Sequence, residues 1–334
     1  MRATLVALLC LGSVAAAEPR TLRMAAIAPE GTSWARELKA LARDVETATH
    51  GDLKMKWYLG GIAGDELAAV GRIRKGQLDG AAGAIFCQSL ASSMRVMRLP
   101  GLFHTTAEAL YIMGRLKGDL DEEFRRSGFA NLGEAGFGFD IILSREPVHT
   151  LADLRRGRFW VWSLDEVMKA TMIAAGLKPY IGPVEEAGRA YEREHLDGLF
   201  AEPAAALAYQ WSTEARYFTV LPTAFLPGCL VVSNTTFDAL PLTEQQALRS
   251  ASAKFFLRFD DVNRATEEAL LGGLFEKQGL KRVDASPKLL QDYLDATASA
   301  RTRLGDELAP RALLEKVDRW LSDYRQVHAE RVPR

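Results

Sequence analysis

Short apolar segments alternate with amphipathic ones over the first ninety residues, and this alternation leaves few folds open. Thr21–Ala28 is strand-like and ends at Pro29-Glu30-Gly31. From about Trp34, the residues Trp34, Leu38, Leu41 and Val45 recur at helical spacing with charged residues between them, which predicts a helix with one buried face. His50-Gly51 stops it. Leu53, Met55 and Trp57 then alternate with Lys54 and Lys56, the period of a strand. Gly60–Asp65 makes a turn, Asp65 caps a helix running to Lys75, and Ala81–Phe86 is a third apolar strand. A β-α-β-α-β order needs a mostly parallel sheet with right-handed crossovers. Such open sheets receive ligands beyond the carboxyl ends of their strands.

The 334 residues suffice for two domains with cores of their own, and 48% apolar with 25% charged residues is ordinary for a globular chain. Arg2, the apolar stretch Leu5–Leu11 and the small residues Ala15-Ala16-Ala17 predict an export signal, residues 1–17, cut near Ala17. The expected location is therefore the periplasm. A formal charge of −1 gives no reason to expect nucleic acid as a partner. Export permits a disulfide between Cys87 and Cys229, but two separate buried thiols are equally compatible with the sequence. The five histidines are scattered, and no Gly-x-Ser-x-Gly or Cys/His metal spacing is present. No cofactor, metal or catalytic constellation is therefore expected.

Further along, Thr105–Glu108 opens a long helix, and Phe129–Ser144 is a long apolar stretch that reads as a strand crossing between lobes. Thr150–Asp153 caps a turn before the strand Phe159–Ser163. Tyr217–Leu221 and Leu230–Ser233 read as return strands, and Thr243–Gln246 as the cap of a helix. Leu248–Phe275 is helical almost without a break, long enough to span two lobes.

Four pieces occur in order: Pro29–Trp34, His50–Leu53, Gly60–Asp65 and Gly76–Asp79. With Arg145–Trp162 and His195–Gly198 they closely resemble the substrate-binding proteins of tripartite ATP-independent periplasmic (TRAP) transporters, the dicarboxylate-binding DctP type, from about Leu22 to Trp320. The resemblance implies an α/β periplasmic-binding fold of two lobes with mixed sheets, hinge strands, a long lobe-spanning helix and a ligand cleft at the hinge. The expected first lobe is 18–139 with 231–270, and the second 140–230 with 271–334. It implies a non-enzymatic binding protein whose partner is a TRAP permease or, in some branches, a periplasmic helical-repeat protein.

The resemblance also locates the site. Where the family carries the arginine that clamps a ligand carboxylate, this chain has Trp160, with Trp162 on the same strand face. Where sialic-acid-type members carry a second arginine, counting back from Pro147 gives Asp140. Where the family has a ligand-binding asparagine, Leu199-Phe200-Ala201-Glu202-Pro203 offers Ala201 and its neighbour Phe200. The third strand, polar in the family, shows Ala84 and Phe86, with Gln88 just beyond. Trp34 joins this set and fits the core of the first lobe equally well; buried strand packing is likewise the competing reading for Trp160, Trp162 and Phe86. An indole offers an apolar face and one N–H, not the fork that a buried carboxylate needs. The expected ligand is hydrophobic or amphipathic and lipid-like. The alternatives are an organic acid held by Arg145, Arg189 or backbone N–H groups and, from another class, a periplasmic enzyme on a borrowed fold.

Overall fold

The computed structural model describes residues 19–329, so the expected signal segment 1–17 lies outside the described residues. Two sheets form the two lobes. The first contains β1 (Arg20–Ala25), β2 (Leu53–Tyr58), β3 (Gly80–Gly83), β4 (Phe129–Phe139) and β10 (Phe225–Ser233), in the order β2-β1-β3-β10-β4. The second contains β5 (Ile141–Ser144), β6 (Phe159–Trp162), β7 (Tyr180–Gly182), β8 (Gly198–Ala201), β9 (Tyr217–Val220) and β11 (Lys281–Asp284), in the order β11-β9-β5-β8-β6-β7. β1, β2 and β3 run parallel, as their helical crossovers demand, while β10 pairs antiparallel to β3 and β4. Both sheets are thus mixed.

The opening helix, Ser33–Ala48, buries Trp34, Leu38, Leu41 and Val45, and the Thr32 hydroxyl accepts from the Ala35 N–H at its start. Asp65 caps the next helix, Glu66–Arg74, through the Ala68 N–H at 2.7 Å. The third strand is shorter than expected. It ends at Gly83, and a helix, Ile85–Leu90, follows at once. The cause is Glu66, whose carboxylate accepts the N–H groups of Ala84, Ile85 and Phe86 at 2.9, 2.6 and 2.9 Å. With those donors satisfied off the sheet, the chain turns into a helix. Thr243 lies inside its helix, Leu242–Ala269, which starts after Pro241 without a side-chain cap.

The chain crosses between lobes at Asp140, which separates β4 from β5. The return crossing is beside it: the Asp140 N–H donates to the Ala224 carbonyl at 2.9 Å, and the Thr223 N–H to the Asp140 carbonyl at 3.1 Å. The return therefore precedes the expected residue 231, because β10 starts at Phe225 and belongs wholly to the first sheet. Its first half is hard to read from sequence, since Pro227-Gly228 interrupts the pattern and the ladder shifts register there. A second correction concerns the tail. The last helix, Arg311–Ala329, returns to the first lobe. Val317 and Leu321 enter the same core as Ala109, Ile112 and Leu116 of the helix Thr106–Arg126, and Arg325 pairs with Glu108 at 2.8 Å.

The long helix does bridge the lobes. It packs along the helix Ser33–Ala48 and β4. A wider turn, Leu270–Leu274, with Gly273 at φ 124°, lets it bend before Phe275 meets Phe218 of the second sheet at 5.4 Å.

Cys87 and Cys229 are bonded, with Cα atoms 5.9 Å apart and a sequence separation of 142. The bond ties the first turn of the helix Ile85–Leu90 to β10. Closing so long a loop restricts the unfolded chain, so reduction should lower stability by about 2–4 kcal/mol. Urea unfolding with and without a reductant measures this; identical midpoints would show that the bond contributes nothing.

Candidate functional site

The crossing strands bring a cavity of about 110 Å³ between the two sheets. Its first-lobe wall comes from Ala26–Ala28 after β1, Ala82–Ala84 at the end of β3, Phe137 of β4 and Leu226–Leu230 of β10. The second-lobe wall comes from β6, from Phe200–Glu202 and from Tyr209 and Trp211, and the long helix adds Phe255, Phe256 and Phe259. The sheets therefore place their carboxyl-end loops on a shared space, where parallel β/α units bind ligands.

Of the residues singled out from sequence, Trp34, Ala84, Asp140, Trp160, Trp162, Phe200 and Ala201 line this cavity. Phe86 and Gln88 do not. Both lie on the helix that Glu66 caps, and both are turned into the first lobe: Phe86 is fully buried among its core residues, and Gln88 is buried with an amide nitrogen that finds no partner. The strand expected to carry Phe86 ends three residues before it.

Trp160 is buried within the wall, and its ring packs against Trp211 at 5.1 Å, which in turn stacks on Tyr209 at 5.0 Å. The Trp160 N–H is already committed, donating to the Gly182 carbonyl at 3.0 Å. The indole therefore offers the cavity apolar surface only. Tyr209 also crosses the mouth: its hydroxyl donates to the Ile27 carbonyl of the other lobe at 3.0 Å.

One part of the wall is polar, and sequence reading missed most of it. Arg98, 6% exposed, lines the cavity. Its Nε donates to Asp165 at 2.6 Å, and its Nη2 lies 2.7 Å from Asp140. Among the described residues it is the only basic side chain in the wall. Burial works against its charge, but attraction to Asp140 and Asp165 outweighs burial and holds the guanidinium protonated. Glu202 stands beside them. Burial, then repulsion from Asp140, raises the Glu202 carboxyl well above its ordinary range. Asp140 is thus paired with Arg98 inside the cluster. A signal for Arg98 was present: it is a charge in the apolar run Val96–Phe103.

Glu66 also reaches the wall, and burial pushes its carboxyl up to about 7 despite three N–H donors. A carboxyl raised on folding contributes stability that is fully present below its unfolded value near 4.5 and is lost as pH rises through about 7. Glu202 acts in the same direction, whereas Asp79, Glu108 and Asp153, all lowered, lose their contributions only in acid. Urea unfolding should therefore show a stability maximum near pH 5 and a loss on the order of 3 kcal/mol from Glu66 by pH 8. Glu66→Gln should be less stable overall and lose part of this slope; an unchanged slope would clear Glu66 of the effect.

Comparison with known proteins gives this geometry its context. Two relatives are 25% identical to the chain. One is the protein YiiZ of Salmonella typhimurium, aligned over 67% of this chain and 69% of its own length. The other is the 2,3-diketo-L-gulonate-binding periplasmic protein YiaO of Escherichia coli K12, aligned over 62% and 64%. Among solved structures, a TRAP periplasmic solute-binding protein of Haemophilus influenzae with bound L-gulonate superposes with a TM-score of 0.81 at 17% identity, over 90% of this chain and 99% of that one. At that identity the match speaks for the fold. The family model described as bacterial extracellular solute-binding protein, family 7 (DctP), matches residues 24–304, and the chain belongs to that family.

Proposed function

We propose that this chain is the periplasmic solute-binding protein of a TRAP-type system, closing its lobes around a hydrophobic or amphipathic small molecule and delivering it to a membrane permease. The observation that carries the ligand class is the wall itself: aromatic and aliphatic side chains surround the cavity, and its one guanidinium is spent on Asp140 and Asp165. Apolar surface contributes about 0.8 kcal/mol per buried methylene, so an acyl chain or ring system can bind here without an ion pair. The family's description as extracellular solute-binding proteins supports binding and hand-over over catalysis. Among the described residues no helix is long and apolar enough to cross a membrane, in keeping with a partner that supplies the membrane path.

A second reading, an organic acid, is favoured by the relatives, one of which is named for 2,3-diketo-L-gulonate and another of which holds L-gulonate. It requires the acid to compete with two aspartates for Arg98. Native mass spectrometry of the exported protein, followed by organic extraction, separates the readings. An apolar adduct that extraction removes is expected. Ligand-free protein that takes up only small organic acids in calorimetry would favour the second reading over the first.

A further inference from the structure

We propose that the ligand carries a basic nitrogen, a protonated amine on an apolar body, and that this nitrogen docks on Asp140 at the polar end of the cavity. The inference rests on the apolar-cavity reading above and adds the chemistry of the ligand's head.

The charges in the cluster do not balance. Arg98 brings one guanidinium against the carboxylates of both Asp140 and Asp165. One negative charge is left over in a place nearly closed to water, and a buried excess charge is costly. A single ligand cation cancels it. An acid would double it.

The hydrogen bonds point to the same atom. Asp165 is saturated on both oxygens, by Arg98 Nε at 2.6 Å and by the Met168 N–H at 3.0 Å. Asp140 is 1% exposed, and its Oδ2 faces Arg98, whereas its Oδ1 accepts from no N–H of the protein. Asp140 lines the cavity, but both carboxylate oxygens are buried in this conformation, so docking requires a shift of the lobes that uncovers Oδ1. Glu202 caps nothing at the start of its helix, Pro203–Ala208, and stands in the same wall as Asp140. Glu66 makes no comparable offer, because the N–H groups of Ala84, Ile85 and Phe86 occupy it. The rest of the wall suits a cation on an apolar body, since the faces of Trp162 and Tyr209 attract positive charge as well as hydrocarbon.

The test uses three probes of one shape: 2-cyclohexylethylamine, 2-cyclohexylethanol and 3-cyclohexylpropanoate. Each is titrated at pH 7 into ligand-stripped protein, followed by tryptophan fluorescence, because Trp34, Trp160, Trp162 and Trp211 line the cavity. The amine is expected to bind at least tenfold tighter than either of the others, the range of a charge-assisted bond. In Asp140→Asn the amine-to-alcohol preference should fall to about one. The wild-type comparison needs no variant, so it decides even if Asp140→Asn fails to fold. Alcohol binding as tight as amine binding overturns the inference and leaves the apolar cavity standing. Propanoate binding as tight as or tighter than the amine overturns it in favour of an acid. Binding of none of the three removes both this inference and the reading beneath it.

Discussion

Arg98→Leu unfolds at far lower urea than the parent, with an expected loss of about 3–5 kcal/mol. The substitution leaves Asp140 and Asp165, each 1% exposed, without the guanidinium that faces both. Each must then take up a proton or remain charged out of water, and either course is costly. Arg98→Lys should recover only part of the loss, because one ammonium replaces a fork that reaches Asp165 through Nε and Asp140 through Nη2. Combining Arg98→Leu with Asp140→Asn and Asp165→Asn should recover more, since it removes the charges that were left alone. Denaturation followed by circular dichroism at pH 7 is the measurement. A midpoint within error of the parent would mean that water reaches the cluster freely and that the polar end of the cavity is not closed.

Trp160→Ala lowers affinity for the copurified ligand at least tenfold, and Lys54→Ala leaves it unchanged. Trp160 lines the cavity and packs against Trp211, which stacks on Tyr209. Its loss opens space that the strand β6 cannot close, since β6 is held by β7 and β8 on either side, and it removes apolar surface from the wall. Trp160→Phe keeps much of the face while losing the bond to the Gly182 carbonyl, so it should fall between parent and alanine. Calorimetry on all three variants tests the order. Equal affinities for Trp160→Ala and Lys54→Ala would take Trp160 out of the binding wall.

The first lobe was readable because its elements carry their own local causes. Helical spacing from Trp34 to Val45, the cap at Asp65 and the alternation of Leu53–Trp57 each act over a few residues. The family resemblance placed Trp160, Trp162, Asp140 and Ala201 on the cavity through their order along the chain. What escaped was whatever depends on distant partners. Phe86 leaves the strand because of a carboxylate twenty residues earlier. The start of β10 hides behind Pro227-Gly228, and its place in the sheet is set by β3 and β4. Arg98, Asp165 and Glu202 are far apart in sequence, and no pattern in one of them announces the others. Asp140 was seen, but its partner was not: beside Arg98 it belongs to a group in which two carboxylates share one guanidinium.

The disulfide has a topological consequence. The chain leaves for the second sheet at Asp140 and is back by Phe225, so strands β5 to β9 hang as a lasso whose neck is stapled by Cys87 and Cys229. Both sulfurs sit in the first lobe, and the staple cannot clamp the jaws shut. It instead makes the pairing of β10 with β3, remote along the backbone, a neighbouring event for an oxidised chain, and leaves the crossing strands at Asp140 and Ala224 outside its tie.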